Sequence, residues 1–214
     1  MRKILKYFYS QKSMVCYEHS LDNFSHEKNS SSNFQYRALK REDYDPMAEL
    51  LFRQAREESV FQPVFDIHGA MDRINKGEHC FICAKGKCIL GYIWFAPKQK
   101  YIKEIDATLY LNNSSIYIYN AYVRQDYRGK DLVDYLFLKC RSELYSAGYT
   151  TVIAFRMNWN ISVQKAMEKL GFYYIGHVKT GYFFTFYYMT NRCKKLTLVR
   201  ESGLLALYGN LLKK

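Results

Sequence analysis

The chain has 214 residues, of which 49% are hydrophobic and 17% aromatic. That composition excludes a disordered chain and suits one domain with tails and a sizeable core. Its formal charge of +12 favours anionic partners, but no long unbroken Lys/Arg run marks a nucleic-acid tract.

Residues 1–33 read as a polar arm. The stretch 19–33 is rich in Ser, Asn and charge and reads as a linker. Residues 4–15 are apolar enough to add a strand or a helix, or equally to remain loose. The domain proper is expected over 34–191. Residues 34–39 alternate like a first strand. Asp45 is the expected cap of a helix with Pro46 at its first position, followed by Met47, Leu50, Leu51 and Ala55 at helical spacing. A second short helix is expected over 67–75. Residues 79–84 and 88–96 read as two strands joined by a tight hairpin at Gly86-Lys87. From Pro97 to Ser115 the chain is polar and variable, a loop or a frayed strand.

Residues 116–123 form an apolar strand that runs into a basic turn holding Arg128, Gly129 and Lys130. A helix follows over 132–147, with Val133, Leu136, Phe137, Cys140 and Leu144 on one face and Gly148 as its stop. A strand emptying through such a turn into a helix N-terminus makes an anion site. The first helical N–H groups have no internal partner, and the dipole adds positive charge. The expected ligand is a phosphate or pyrophosphate. Residues 150–155 form a β-branched strand, a helix carries Val163, Ala166, Met167 and Leu170 on one face, and 172–178 and 182–189 are aromatic strands. The tail, 192–214, has six Lys/Arg against one Glu, with Leu204, Leu205, Leu207, Leu211 and Leu212. It suits an amphipathic helix that caps the domain, meets a partner or rests on a membrane surface.

Cys80, Cys83 and Cys88 raise a zinc reading, but the odd spacing of the first two puts their thiols on opposite faces of a strand, and no second pair is present. No metal is expected, and the thiols read as buried apolar groups of a reducing compartment. No apolar run is long enough to span a bilayer, and no secretory core is visible, so a cytoplasmic protein is expected.

The stretch 123–133 resembles motif A of the GNAT superfamily of acyl-CoA-dependent N-acyltransferases. In that motif an Arg or Gln is followed by two residues, Gly, one residue, and Gly or Ala. Here Arg128, Asp131 and Val133 hold those places. Asn160-Ile161-Ser162 followed by Glu168-Lys169-Leu170-Gly171-Phe172 is similar to motif B of the same superfamily. The resemblance implies an α+β fold, layered α/β/α. Its central mixed sheet would have six or seven strands with flanking helices, and two parallel strands, 116–123 and 150–155, would splay apart. It implies acetyl-CoA or another acyl-CoA as co-substrate. Ala121, Tyr122, Val123, Arg128, Gly129, Lys130, Asp131, Leu132 and Val133 would hold it, Asn160 would orient the pantetheine arm, and Ser162 would lie beside it. Asn160 and Ser162 are equally suited to capping their own helix. Lys169 reads as a solvated helix residue or a phosphate contact. A primary amine, on a small molecule or a peptide, would be the acceptor. A long-chain enzyme using an acidic acyl carrier protein, and a module that binds CoA or a partner without turnover, are the rival readings.

Two departures bear on chemistry. Asp131 places a negative charge where a pyrophosphate would sit, a repulsion on the order of 3 kcal/mol at ~6 Å and an effective dielectric near 20. Val133 is bulky where a small residue would let phosphate approach. Met167 stands where the family commonly has a Tyr acid, and Tyr119 and Asn120 stand where many members have an acidic base. His177 has a suitable pKa but, as a lone strand histidine, reads as structural. The sequence therefore assigns no catalytic residue.

Overall fold

The computed structural model describes residues 9–22, 34–58, 66–183, 186–193 and 195–200. The leucine-rich part of the tail lies outside them. An eight-stranded mixed sheet forms the centre, in the order β10-β9-β1-β8-β7-β4-β3-β2. Its strands are β1 (Tyr9–Ser20), β2 (Gln35–Ala38), β3 (His79–Lys85), β4 (Cys88–Pro97), β7 (Ser115–Val123), β8 (Thr151–Met157), β9 (Tyr173–Phe183) and β10 (Phe186–Asn191). A second sheet of three strands, in the order β11-β6-β5, comprises β5 (Gln99–Ile102), β6 (Ala107–Tyr110) and β11 (Thr197–Val199). Four helices flank the sheet: α1 (Tyr44–Glu57), α2 (Ile67–Asn75), α3 (Leu132–Ser146) and α4 (Ile161–Lys169).

The expected mixed sheet is present, with β7 and β8 as its parallel pair. The strand that brings it to eight is β1. Residues 9–20 are not an arm set apart from the domain. They fill the slot between β8 and β9 and pair with both. Val15 and Tyr17 go to one face of the sheet, Met14 and Cys16 to the other, and all four are buried. A strand covered on both faces loses the apolar–polar alternation that marks a half-exposed one. His19, expected in the linker, is buried in this strand, as is Leu21 just after it.

On one face of the sheet, Leu132, Leu136, Phe137, Cys140 and Leu144 of α3 pack over Phe81, Ile93, Ile116 and Val152. Each such fully buried side chain stabilises the fold by about 1.5–3 kcal/mol. On the other face Met47, Leu50, Leu51 and Ala70 of α1 and α2 cover Cys80, Ile82, Tyr92 and Trp94. Beside them the small sheet, through Ile102, Leu109 and Leu196, covers Tyr117, Ile153 and Phe155. Cys80 and Cys83 fall in the clusters on opposite faces, as their spacing requires.

Two local expectations are corrected. The residue before α1 is Asp43, not Asp45. The Asp43 carboxylate is drawn off by Arg37 and by the Lys40 backbone N–H at 2.9 Å, and a short 3-10 turn over Arg41–Asp43 leads into the helix. Pro46 then stands within the first turn, where its missing N–H costs nothing. The polar stretch from Pro97 to Ser115, read as a loop or a frayed strand, supplies two regular strands, β5 and β6 of the second sheet.

Candidate functional site

β7 and β8 are paired only from Ser115↔Thr151 to Ile118↔Ala154. Beyond that they part. Tyr119–Val123 pairs only with β4, and Phe155–Met157 only with β1. A gap opens between them at their carboxyl ends, where an open α/β sheet offers its ligand crevice.

A bulge in β7 shapes one wall of the gap. Trp94 pairs with Tyr119 and Tyr92 with Tyr122, so Asn120 and Ala121 together oppose Ile93. Asn120 takes a left-handed conformation, φ 46°, as one residue of a bulge does. The bulge shifts the phase of the strand. Tyr117, Tyr119 and Tyr122 all point to the α1/α2 face, while Ile116, Ile118 and Val123 point to the α3 face. The Arg124 N–H bonds to the Leu90 carbonyl on β4. By strand alternation the N–H and C=O groups of Val123 and the C=O of Ala121 therefore face the gap. The Val123 carbonyl accepts from Arg128 Nε at 3.1 Å, and Ala121 is exposed although it sits within the sheet. Tyr122 faces away. Its hydroxyl donates to Glu57 of α1 at 2.5 Å.

The gap opens on the N-terminus of α3. Gly129 has φ 74°, and no atom lies within 4 Å of where a side chain would begin, so this corner is open. The first intrahelical bond runs from Tyr135 N–H to the Asp131 carbonyl. Among the described residues the N–H groups of Gly129, Lys130, Asp131, Leu132, Val133 and Asp134 have no acceptor. Val133 is partly buried against the core, and Leu132 is buried. Neither plugs the corner.

The charges there are balanced. Arg128 binds Glu58 at 2.6 Å and leans on the Tyr122 ring. Lys130 lies over the Tyr127 ring at 4.7 Å and donates to the Asp126 carbonyl. Lys169 spans Asp131 at 2.7 Å and Asp134 at 2.6 Å, and the two carboxylates raise its pKa. The Asp131 charge is thus compensated from α4. Three cations face three carboxylates, so attraction for an anion rests on the backbone donors.

At the start of α4 the Asn160 side-chain oxygen accepts from Val163 N–H at 3.2 Å, a helix cap. Its amide nitrogen has no partner among the described residues. Ser162 is exposed in the first turn.

A second set of groups, unnoticed in the sequence apart from Tyr119 and Asn120, lies on the α1/α2 face where the strands part. Tyr119 donates a short hydrogen bond to the Glu78 carboxylate. Lys100 of β5 donates to the Tyr119 hydroxyl at 2.8 Å and to Glu78 at 2.5 Å. Arg73 of α2 stacks on Tyr119 and Trp94 at 5.1 and 5.3 Å and donates to the Asn120 side-chain oxygen at the bulge. Burial lowers the pKa of Lys100 against the pull of Glu78, and burial lowers that of Arg73. These residues are far apart in sequence. The one local cue was a lone Asn inside an apolar strand.

The remaining sequence candidates lie elsewhere. β1 separates β9 from β8, so His177 stands away from the gap, where its ring meets the Tyr174 hydroxyl at 3.1 Å. It borders a separate polar cavity of about 480 Å³ between α4 and β1/β9. Met167 packs against the core. Among the described residues no group of His, Cys, Asp and Glu could hold a metal, and no helix is long and apolar enough to cross a membrane.

The family model for acetyltransferase (GNAT) matches residues 40–172. No curated protein matches the chain. Among solved structures, a Drosophila protein superposes with TM-score 0.55 and 10% identity over 83% of this chain and 52% of its own. An acetyltransferase of GNAT family from Staphylococcus aureus gives 0.50 and 14%, over 64% and 83%. A Salmonella typhimurium protein, provisionally assigned as an acetyltransferase and solved with its cofactor acetyl-CoA, gives 0.50 and 15%, over 65% and 79%. The chain spans about half of the Drosophila structure and 64% of a Staphylococcus epidermidis one. At these identities the likeness is one of fold.

Proposed function

Because the chain belongs to the acetyltransferase (GNAT) family, whose chemistry is acyl transfer, we propose that it moves an acyl group, acetyl foremost, from an acyl-CoA to a primary amine by direct attack. The observation that carries this reading is the parted half of β7. There, the gap-facing Val123 N–H and the exposed bulge residue Ala121 lead to an open helix N-terminus with unpaired N–H groups.

The corner fits a diphosphate. It is open at Gly129 and offers backbone donors from Gly129 to Asp134, with Lys130 at its edge. The arm of an acyl-CoA would lie along Tyr119–Val123 as an extra strand, with the Asn160 amide nitrogen free to meet it. Ser162 stands beside that arm. The co-substrate supplies a thioester carbonyl. The amine forms a C–N bond at that carbon, and the C–S bond breaks.

This chain's residues then have definable tasks. The Val123 N–H faces the gap and can donate to the carbonyl oxygen as charge builds on it, an interaction worth 10²–10³ in rate elsewhere. The Tyr119 oxygen accepts one bond from Lys100 and has a second lone pair for an amine N–H. As the amine adds, its proton passes to Tyr119, and the Tyr119 proton passes to the Glu78 carboxylate. The set thus takes up the amine's proton, the task of the missing acid on β7, while CoA leaves as a thiolate that takes its proton from solvent.

Calorimetry with acetyl-CoA, paired with a free-thiol release assay on a panel of amines, tests the reading. Binding with amine-dependent thiol release is the expected result. Binding without release on any amine would leave a CoA-binding module instead. Release only from an acyl carrier protein would favour the carrier-dependent reading.

A further inference from the structure

Cys16 and Cys193 come from opposite ends of the described chain and meet in the cluster beneath the small sheet. Cys16 stands across from Gly176 in the β1–β9 ladder. β9 bulges there, since Cys16 pairs with Gly176 and Tyr17 with Tyr174, leaving Ile175 without a partner. Gly176 has φ 151°, a conformation other residues rarely adopt. A side chain is also excluded by what lies over it. A Cβ at Gly176 would sit 2.8 Å from Cys193 Sγ and 2.6 Å from the Arg192 carbonyl oxygen. Cys193 Sγ therefore occupies the space next to Cys16 that a cross-strand side chain would fill. Opposed Cβ positions are about 4.5–5.5 Å apart, which makes the two sulfurs neighbours.

The turn that presents Cys193 is built for the purpose. Asn191 Oδ1 accepts from Cys193 N–H at 2.8 Å, and Asn191 Nδ2 donates to the Leu196 carbonyl at 3.0 Å. Leu196 N–H closes the turn on the Cys193 carbonyl, and Arg192 N–H bonds to the His177 carbonyl on β9. Both thiols are buried, at 0% and 1% exposure. The other four cysteines are separate: Cys80, Cys83 and Cys140 lie in other clusters, and Cys88 is exposed.

We propose that Cys16 and Cys193 are a redox pair that closes reversibly to a disulfide against a low-molecular-weight disulfide such as oxidised glutathione, fastening β1 to the segment that leads into β11. The exchange balances. The Cys193 thiolate attacks one sulfur of the small disulfide, forming a mixed disulfide and releasing one small thiolate, which takes up the Cys193 proton. Cys16 then loses its proton and attacks the Cys193 sulfur, expelling the second small thiol. Two protein thiols are oxidised and one small disulfide is reduced to two thiols. Cys16 sits in a strand paired on both sides, whereas Cys193 is carried by a turn, so Cys193 is the thiol that can reach the small disulfide first. Because both sulfurs are buried, exchange waits on opening of the 191–196 turn and runs over hours.

The test uses the full chain, incubated with oxidised glutathione under native conditions, then unfolded and alkylated in denaturant. Peptide mass mapping without reductant is expected to show a cross-link between the Cys16 and Cys193 peptides, with Cys80, Cys83 and Cys140 alkylated. Cys88, being exposed, takes at most a glutathione adduct. The oxidised protein is expected to melt roughly 5–15 °C higher than the reduced one. Reductant should abolish the rise, and a Cys193→Ala variant should not show it. Alkylation of both Cys16 and Cys193 after oxidation, or a lone glutathione adduct on Cys193, would overturn the pair. A cross-link with unchanged melting would overturn the fastening of β1. Neither readout depends on acyl transfer.

Discussion

The lower and upper halves of β7 differ in what holds them. From Ile116 to Ile118 the strand is a ladder with partners on both sides, buried or nearly so, and its side chains alternate cleanly. From Tyr119 to Val123 it has a partner on one side only. It carries a left-handed Asn120 and an exposed Ala121, and it gathers charged groups from α2, β5 and the segment before β3. A single bulge separates a stretch that serves stability from one whose open backbone invites a ligand. Strain and unpaired donors persist in the upper half because the lower half fixes the strand's position.

Perturbing each half separately should therefore move different observables. The largest effect is expected in the upper half. Glu78→Gln should lower kcat by about 10²–10⁴ while acetyl-CoA affinity and melting hold. A kcat within threefold of the parent would make the Glu78–Tyr119–Lys100 set structural. In the lower half, Ile116→Ala empties a fully buried position and should cost about 2–5 kcal/mol in urea unfolding. The folded protein should keep its affinity for acetyl-CoA. A loss of affinity would show that the halves are coupled. At the anion corner, Lys130→Glu should weaken acetyl-CoA binding by about tenfold at low salt and less at high salt, without changing stability.

Acid should give the smallest effect, and it should act on the lower half. His19 pairs with Val152 beneath α3 and lies against Phe137 and Phe172. Burial, helped by the charge of Arg141, holds its imidazole below the usual value against an opposing contact with the Gly171 backbone. His79 is lowered by burial as well. Both are neutral in the fold and bind a proton more readily once unfolded. Their stabilisation is thus complete above about pH 6.5 and is lost as pH falls below it, by at most ~1.4 kcal/mol per pH unit for each. The urea midpoint of a His19→Leu variant should fall less between pH 7.5 and 5.5 than that of the parent.

What the sequence made legible follows the range of the interactions. The apolar face of α3, the hairpin at Gly86-Lys87 and the strand 116–123 are written in local periodicity, and they stand where they were expected. The basic turn located the helix corner, yet not its charge balance, because Glu58 and Lys169 arrive from α1 and α4. Residues 4–15 stayed open between strand, helix and loose chain because the partners of β1 lie more than a hundred residues downstream and its central residues are buried on both faces. The bulge at Asn120 escaped because period-two reading assumes an unbroken phase. The Glu78 set escaped because Arg73, Glu78, Lys100 and Tyr119 become neighbours only when α2, the start of β3, the small sheet and β7 are assembled.

The place of β1 constrains how the chain is made. Residues 9–20 leave the ribosome well before the strands that flank them, 151–157 and 173–183. Throughout synthesis the nascent segment is therefore an apolar strand with two open edges, the kind of surface that pairs with whatever it meets. The slot cannot close until residues 173–183 are out, so its closing is a long-range step that should make refolding slow.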